Sequence, residues 1–210
     1  MPVNIVVSGV GGQGILSLSQ VLGESAIKSG VKALIAETHG LSQRGGSIIV
    51  HLRIGNDVMS PLIPEGNAHI LLGLELLEAA RYAHYLLNNS LIVVNDKIIR
   101  PNVPGVETPK RGRIINYLKE RSRHLFLVKA SDIAVRHGNP IGANMVMLGY
   151  ISNVLSRLGL LKYEYAEESA SAIGGKRYGE LNKQLFRIGF NEANRAVSDL
   201  TIAEIKKLFS

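Results

Sequence analysis

Apolar residues along this chain fall into short β-branched runs alternating with stretches of helical periodicity, and glycine or polar clusters mark most boundaries. Asn4 to Ser8 (NIVVS) reads as a buried strand stopped by glycine. Gly9 to Gly14 (GVGGQG) follows, and then Ile15, Leu18, Leu22 and Ala26 recur at helical spacing. That spacing predicts a helix to about Ser29, closed by Gly30. Val31 to Ala36 reads as a second strand. Strand, glycine loop, helix and strand in this order open a parallel, doubly wound sheet.

After Gly46 the pattern changes. SIIVHLRI (Ser47 to Ile54), the turn GND and then VMSPLI read as a β-hairpin, where a dehydrogenase would carry a crossover helix. Ala68 to Glu75 predicts another buried strand, LLEAARYAHYLL a helix, and Leu91 to Asp96 a further strand after an NNS turn. Prolines and a glycine mark residues 100 to 110 as a loop. RIINYLKERS predicts a short basic helix, HLFLVKAS a strand, and GANMVMLGYISNVLSRLGLL a long, largely buried helix. Two amphipathic helices finish the chain. The fold class expected is α/β: a Rossmann-like, mostly parallel sheet with helices on both faces and an added β-hairpin. Residues 1–210 are expected to form a single domain, with the helices from about residue 160 packed on it.

The hydrophobic fraction of 46% and charged fraction of 20% suit a globular protein with a sizeable core. Val3 to Val7 is too short for a signal-peptide core, and no apolar run reaches membrane-spanning length, so a cytoplasmic location is expected. The chain has no cysteine, which excludes disulfides, a thiolate nucleophile and any iron–sulfur cluster held by its own thiolates. The formal charge is +7, and Lys110, Arg111, Arg113, Lys119, Arg121 and Arg123 crowd one stretch. That stretch is either a solvated helix face or a surface for an acidic protein or a polyphosphate. A single aromatic residue, Tyr117, stands among the charges, where a stacking platform for nucleic acid would require several.

Candidate chemistry lies in two loops. Gly9, Gly11, Gly12 and Gly14 satisfy G-x-G-x-x-G between a strand and a helix, a spacing that brings backbone N–H groups and a helix N-terminus close to a phosphate. Glu37, at the end of the second strand, stands where an acid would meet a ribose, so binding of NAD(P) or FAD, or of a nucleotide without chemistry, are readings of this motif. Glycines that only permit close helix–strand packing are another. Gln13, an amide at the mouth of the loop, weighs against NAD. The second loop, Glu37, Thr38, His39, Gly40, Leu41, Ser42, Gln43, Arg44, Gly45 and Gly46 (ETHGLSQRGG), carries too many polar groups to be core. His39 is a base or ligand, or a structural hydrogen-bonding residue. Arg44 is a clamp for phosphate or carboxylate, or an interface residue. Asn144 is a polar anchor just inside a long apolar helix. The other histidines show no metal-binding spacing, so no metal site is expected.

SGVGGQGILSLSQVLGESA, ETHGLSQRGGSIIVHLRIG, SPLIPEGNAHILLGLELLEAAR and GANMVMLG together resemble the gamma-type domain of the 2-oxoacid:ferredoxin oxidoreductases, in their indolepyruvate branch. The resemblance covers residues 3 to about 160 well and the C-terminal helices loosely. Asn67 and His69 depart from it, where an Ala-Asp pair is common. It implies a complex that oxidatively decarboxylates aryl 2-oxoacids, joins the acyl fragment to coenzyme A and reduces ferredoxin. It further implies that this chain holds no cofactor of its own. Thiamine diphosphate, magnesium and [4Fe–4S] clusters would belong to a larger alpha subunit, in a heterotetramer of two of each. The two polar loops would then lie side by side at the carboxyl edge of the sheet, facing the partner subunit. Their polar heads would be exposed in the free chain, so that removing the Gln13 or Arg44 side chain would leave its stability nearly unchanged.

Overall fold

A computed structural model of the chain describes residues 1–39, 45–100 and 107–209, without the side chains of His39 and Lys176. The strands are β1 (Val3–Val10), β2 (Ala33–His39), β3 (Ser47–Ile54), β4 (Ala68–Gly73), β5 (Leu86–Asn95) and β6 (His124–Val128). The helices are α1 (Ile15–Lys28), α2 (Leu76–Arg81), α3 (Arg111–Arg121), α4 (Ala130–Arg136), α5 (Ala143–Arg157), α6 (Tyr163–Ala172), α7 (Gly175–Ala196) and α8 (Asp199–Lys206).

The strands form one mixed sheet in the order β2-β3-β1-β4-β5-β6. β1, β4, β5 and β6 pair in parallel, whereas β3 runs antiparallel to both β1 and β2. The α/β class, the mostly parallel sheet and the added hairpin are therefore present, but the hairpin is not where the sequence pattern put it. Its arms are β2 and β3, and VMSPLI forms no strand. Alternation explains the choice. His51 and Arg53 turn to the face opposite Val50, Leu52 and Ile54, which are buried against β1 in full register from Val3↔Ile54 to Val10↔Ser47. VMSPLI has two prolines nearby and exposes Met59 and Leu62.

Side-chain alternation along β1 divides the core. Val3, Ile5 and Val7 face a large apolar cluster built with α1, α5, α6, α7 and α8, while Val6 faces a smaller one with α2 and α3. Helices thus cover both faces. The chain ends in three helices rather than two, because Val197 and Ser198 interrupt the last one. The Ser198 hydroxyl then caps α8 by accepting from the Thr201 N–H at 3.1 Å. The segment expected to be one helix through Leu87 gives α2 to Arg81 and a short 3-10 turn over Ala83–Tyr85, and Leu86 already begins β5. HLFLVKAS splits after Val128, where α4 starts. No helix among the described residues is long and apolar enough to cross a membrane.

Candidate functional site

The glycine loop leaves the carboxyl end of β1 at the centre of the sheet. Gly12 and Gly14 have φ of 99° and 74°, a region that favours glycine, and Gly14 serves as the N-cap of α1 without any side-chain cap. A Cβ at Gly14 would also lie 2.3 Å from Asn144 Nδ2, so Asn144 at the start of α5 reaches directly over the loop.

Gln13 ties this loop to its surroundings. Its Oε1 accepts from the Val10 N–H at 2.7 Å, and its Nε2 donates to the Leu74 carbonyl at 3.0 Å. The Asn95 Nδ2, at the end of β5, donates to the same carbonyl at 3.1 Å and to Ser131 Oγ at 2.9 Å. Asn95 Oδ1 in turn accepts from the Ser131 N–H at 3.2 Å. The Gln13 amide, expected as an outward-facing head, is thus spent within the fold: a glycine-rich turn has too few internal bonds, and the side chain supplies them.

The second polar loop meets the first through backbone. Gly11 N–H donates to Gly46 O at 2.8 Å, and Gly45 N–H donates to Gly11 O at 3.3 Å. Behind Gly46, the Ser47 hydroxyl donates to the Glu78 carboxylate and lies 2.8 Å from Tyr82 Oη, while Arg81 Nε donates to Glu78 Oε1 at 3.0 Å. Gly40, Ser42, Gln43 and Arg44 lie outside the described residues. His39 pairs through its backbone with Ile48.

Glu37 and Thr38 are exposed on β2. Glu37 is in register with Val50, and Val50 with Val7. It therefore stands two strand spacings from β1, roughly 10 Å, and at the level of Val7 rather than at the loop. An acid that reads a dinucleotide ribose belongs on the strand beside β1, a place β3 has taken. The NAD(P) or FAD reading loses its acid on these grounds.

Between the glycine loop, the ends of β4 and β5, and the starts of α4 and α5 lies a crevice of about 300 Å³. Among the described residues that line it, Lys97 is the one cation and none is acidic. Val135 and Ile141 form an exposed apolar rim, at 58% and 81% exposure. Ligands of open α/β sheets bind at this edge of the strands. Sequence reasoning singled out Gly12, Gln13 and Asn144 here but missed Asn95, Lys97 and Ser131. The signal for Asn95 was an asparagine ending an otherwise apolar strand. Among the described residues no cluster of histidine and carboxylate side chains is suited to a metal ion.

Residues 4–192 match the family model of pyruvate ferredoxin/flavodoxin oxidoreductase. The chain belongs to this family. It is 40% identical to the indolepyruvate oxidoreductase subunit IorB of Archaeoglobus fulgidus, over 92% of this chain and 96% of that protein. It is 39% identical to the subunit of the same name from Pyrococcus horikoshii, over 71% of this chain and 76% of that protein. Among solved structures, the keto/oxoacid ferredoxin oxidoreductase gamma subunit of Geobacter sulfurreducens superposes with a TM-score of 0.67 at 22% identity, covering 92% of this chain and 99% of that one. That likeness shows that the two chains share the α/β fold described above.

Proposed function

We propose that this chain is the non-cofactor subunit of an indolepyruvate:ferredoxin oxidoreductase, a complex that converts aryl 2-oxoacids and coenzyme A to aryl-acetyl-CoA and carbon dioxide while reducing ferredoxin. The observation that carries the reading is the 40% identity to an indolepyruvate oxidoreductase subunit over nearly the whole of both chains. The donor set agrees with it. Without a cysteine the chain does not fit an iron–sulfur cluster. The clusters, thiamine diphosphate and magnesium belong on a larger alpha subunit in the cytoplasm, in a complex with two copies of each chain. The task of this subunit is then to present the carboxyl edge of its sheet to the partner's active site. Its crevice and glycine loop shape that edge, with Lys97 available to an anionic group and the apolar rim of Val135 and Ile141 available for burial against the partner.

Co-expression with the alpha subunit and a dye-reduction assay test the reading. Indolepyruvate should support dye reduction that depends on coenzyme A, and each chain alone should be inactive. A complex that turns over no aryl 2-oxoacid, or an isolated chain that turns one over, overturns it.

A further inference from the structure

The basic stretch at residues 110–123 holds six cations and one acid, Glu120, and the fold divides the six into two groups. Arg111 forms a fork with Asp96, with Nε–Oδ1 at 2.7 Å and a second contact at 2.5 Å. Arg123 pairs with Glu204 at 3.2 Å. These two are committed to holding α3 and α8 in place. Lys110, Arg113, Lys119 and Arg121 are exposed, and among the described residues no carboxylate pairs with them. Arg121 instead lies over the ring of Tyr117, 5.0 Å from its centroid.

The free cations lie along the solvent side of α3, with Lys110 and Lys119 at its two edges and Arg113 and the acid Glu120 between them. Ile114, Ile115 and Leu118 turn the opposite side of α3 into the smaller core, so the polar positions all face outward. Lys110, Arg113, Tyr117 and one acid, Glu120, border an open groove of about 610 Å³, and the space above Gly112 in it is open. No large apolar side chain is exposed on α3, in contrast to Val135 and Ile141 at the crevice.

That contrast identifies the kind of partner. A permanent subunit contact buries an apolar centre. A surface of exposed cations without a carboxylate partner or an apolar anchor binds weakly and steers a partner of opposite charge, which suits a protein that must arrive and leave at every turnover. The family's description names ferredoxin and flavodoxin, both electron-carrier proteins. We infer that the outer face of α3, centred on Lys110, Arg113 and Lys119, is a docking surface for a small, carboxylate-rich electron-carrier protein. The inference rests on the proposed function, since only an oxidoreductase complex needs such a carrier.

The test uses the assembled complex with K110E, R113E and K119E combined, leaving Arg111 and Arg123 intact. Ferredoxin of the same organism is the acceptor in one arm and an uncharged dye in the other. At low ionic strength KM for ferredoxin should rise about tenfold or more, and the difference should shrink to about threefold or less at roughly 0.3 M salt. Dye turnover and KM for indolepyruvate and coenzyme A should match the unaltered complex. An unchanged KM for ferredoxin, or a change independent of salt, overturns the inference. So does a rise in KM for coenzyme A, which would make the groove a polyphosphate site, or an equal loss with the dye, which would make it an assembly contact. If the unaltered complex reduces no dye with any aryl 2-oxoacid, the proposed function itself fails and the docking surface falls with it.

Discussion

Gly149 on α5 and Gly189 on α7 face one another's helices so closely that a Cβ on either would lie 1.9 Å from a backbone carbonyl oxygen of the other, Phe186 O and Val146 O respectively. The contact is reciprocal, and both partners are backbone atoms that no rotamer change can move aside. Gly149→Ala and Gly189→Ala must each separate the helices. The expected loss is at least about 1–3 kcal/mol, the usual cost of overpacking a tight core. Urea denaturation of the isolated chain measures it. A midpoint unchanged in both variants would mean the two helices do not meet here.

Gln13→Ala is expected to destabilise the free chain by about 1 kcal/mol or more, the cost of leaving half-buried polar groups without partners. It strips the Val10 N–H of its acceptor and takes one of two donors from the Leu74 carbonyl. An outward-facing polar residue would cost no more than about 0.5 kcal/mol. Thermal melting of the variant separates the two values.

Glu75 is fully buried and caps α2, accepting from the N–H groups of Leu77 at 3.0 Å, Ile99 at 3.3 Å and Glu78. Burial pushes its carboxyl above the ordinary carboxylate value, against the pull of those donors. Glu75→Ala leaves the donors unmet and should cost about 1–3 kcal/mol. Glu75→Gln keeps an acceptor and should cost less. Equal losses in a denaturant titration would show that packing, not capping, is what the side chain supplies.

His51 and His69 each accept a backbone N–H at Nδ1, from Ile63 at 3.2 Å and Asn4 at 2.9 Å. Burial holds both imidazoles below their ordinary value. The unfolded chain therefore takes up these protons first as pH falls. Their contribution to stability is complete above the unfolded value near 6.5 and is lost as pH drops from there toward the folded values. Stability should decline from about pH 7 to pH 5.5, with His124, also lowered chiefly by burial, adding to the slope. His51→Asn with His69→Asn keeps an acceptor near Nδ1 without a titrating ring, so the slope between those pH values should flatten. A slope as steep as before would assign it to other groups.

The parallel half of the sheet was legible because β1, β4 and β5 are buried on both faces and read as continuous apolar runs. The placement of β3 was not. Its alternation fits pairing with either flanking segment, and the choice is made by eight residues of register with β1, a contact distant in sequence. α4 was missed because it is only seven residues long and begins one residue, Lys129, after β6 ends. At the candidate site the glycines announced themselves by type. Asn95, Lys97 and Ser131 did not, since only the fold brings the ends of β5 and β6 beside the glycine loop.

A carbonyl oxygen carries two lone pairs, and both of those on Leu74 are taken, one by Gln13 and one by Asn95. This oxygen, at the wall of the crevice, is closed to any guest. Among the described residues no carboxylate stands on the walls, and Lys97 brings an ammonium group, so that the crevice carries a positive charge. A guest rich in acceptor oxygens is complementary to it, whereas a cationic guest would find neither a counter-charge nor that oxygen to receive its protons.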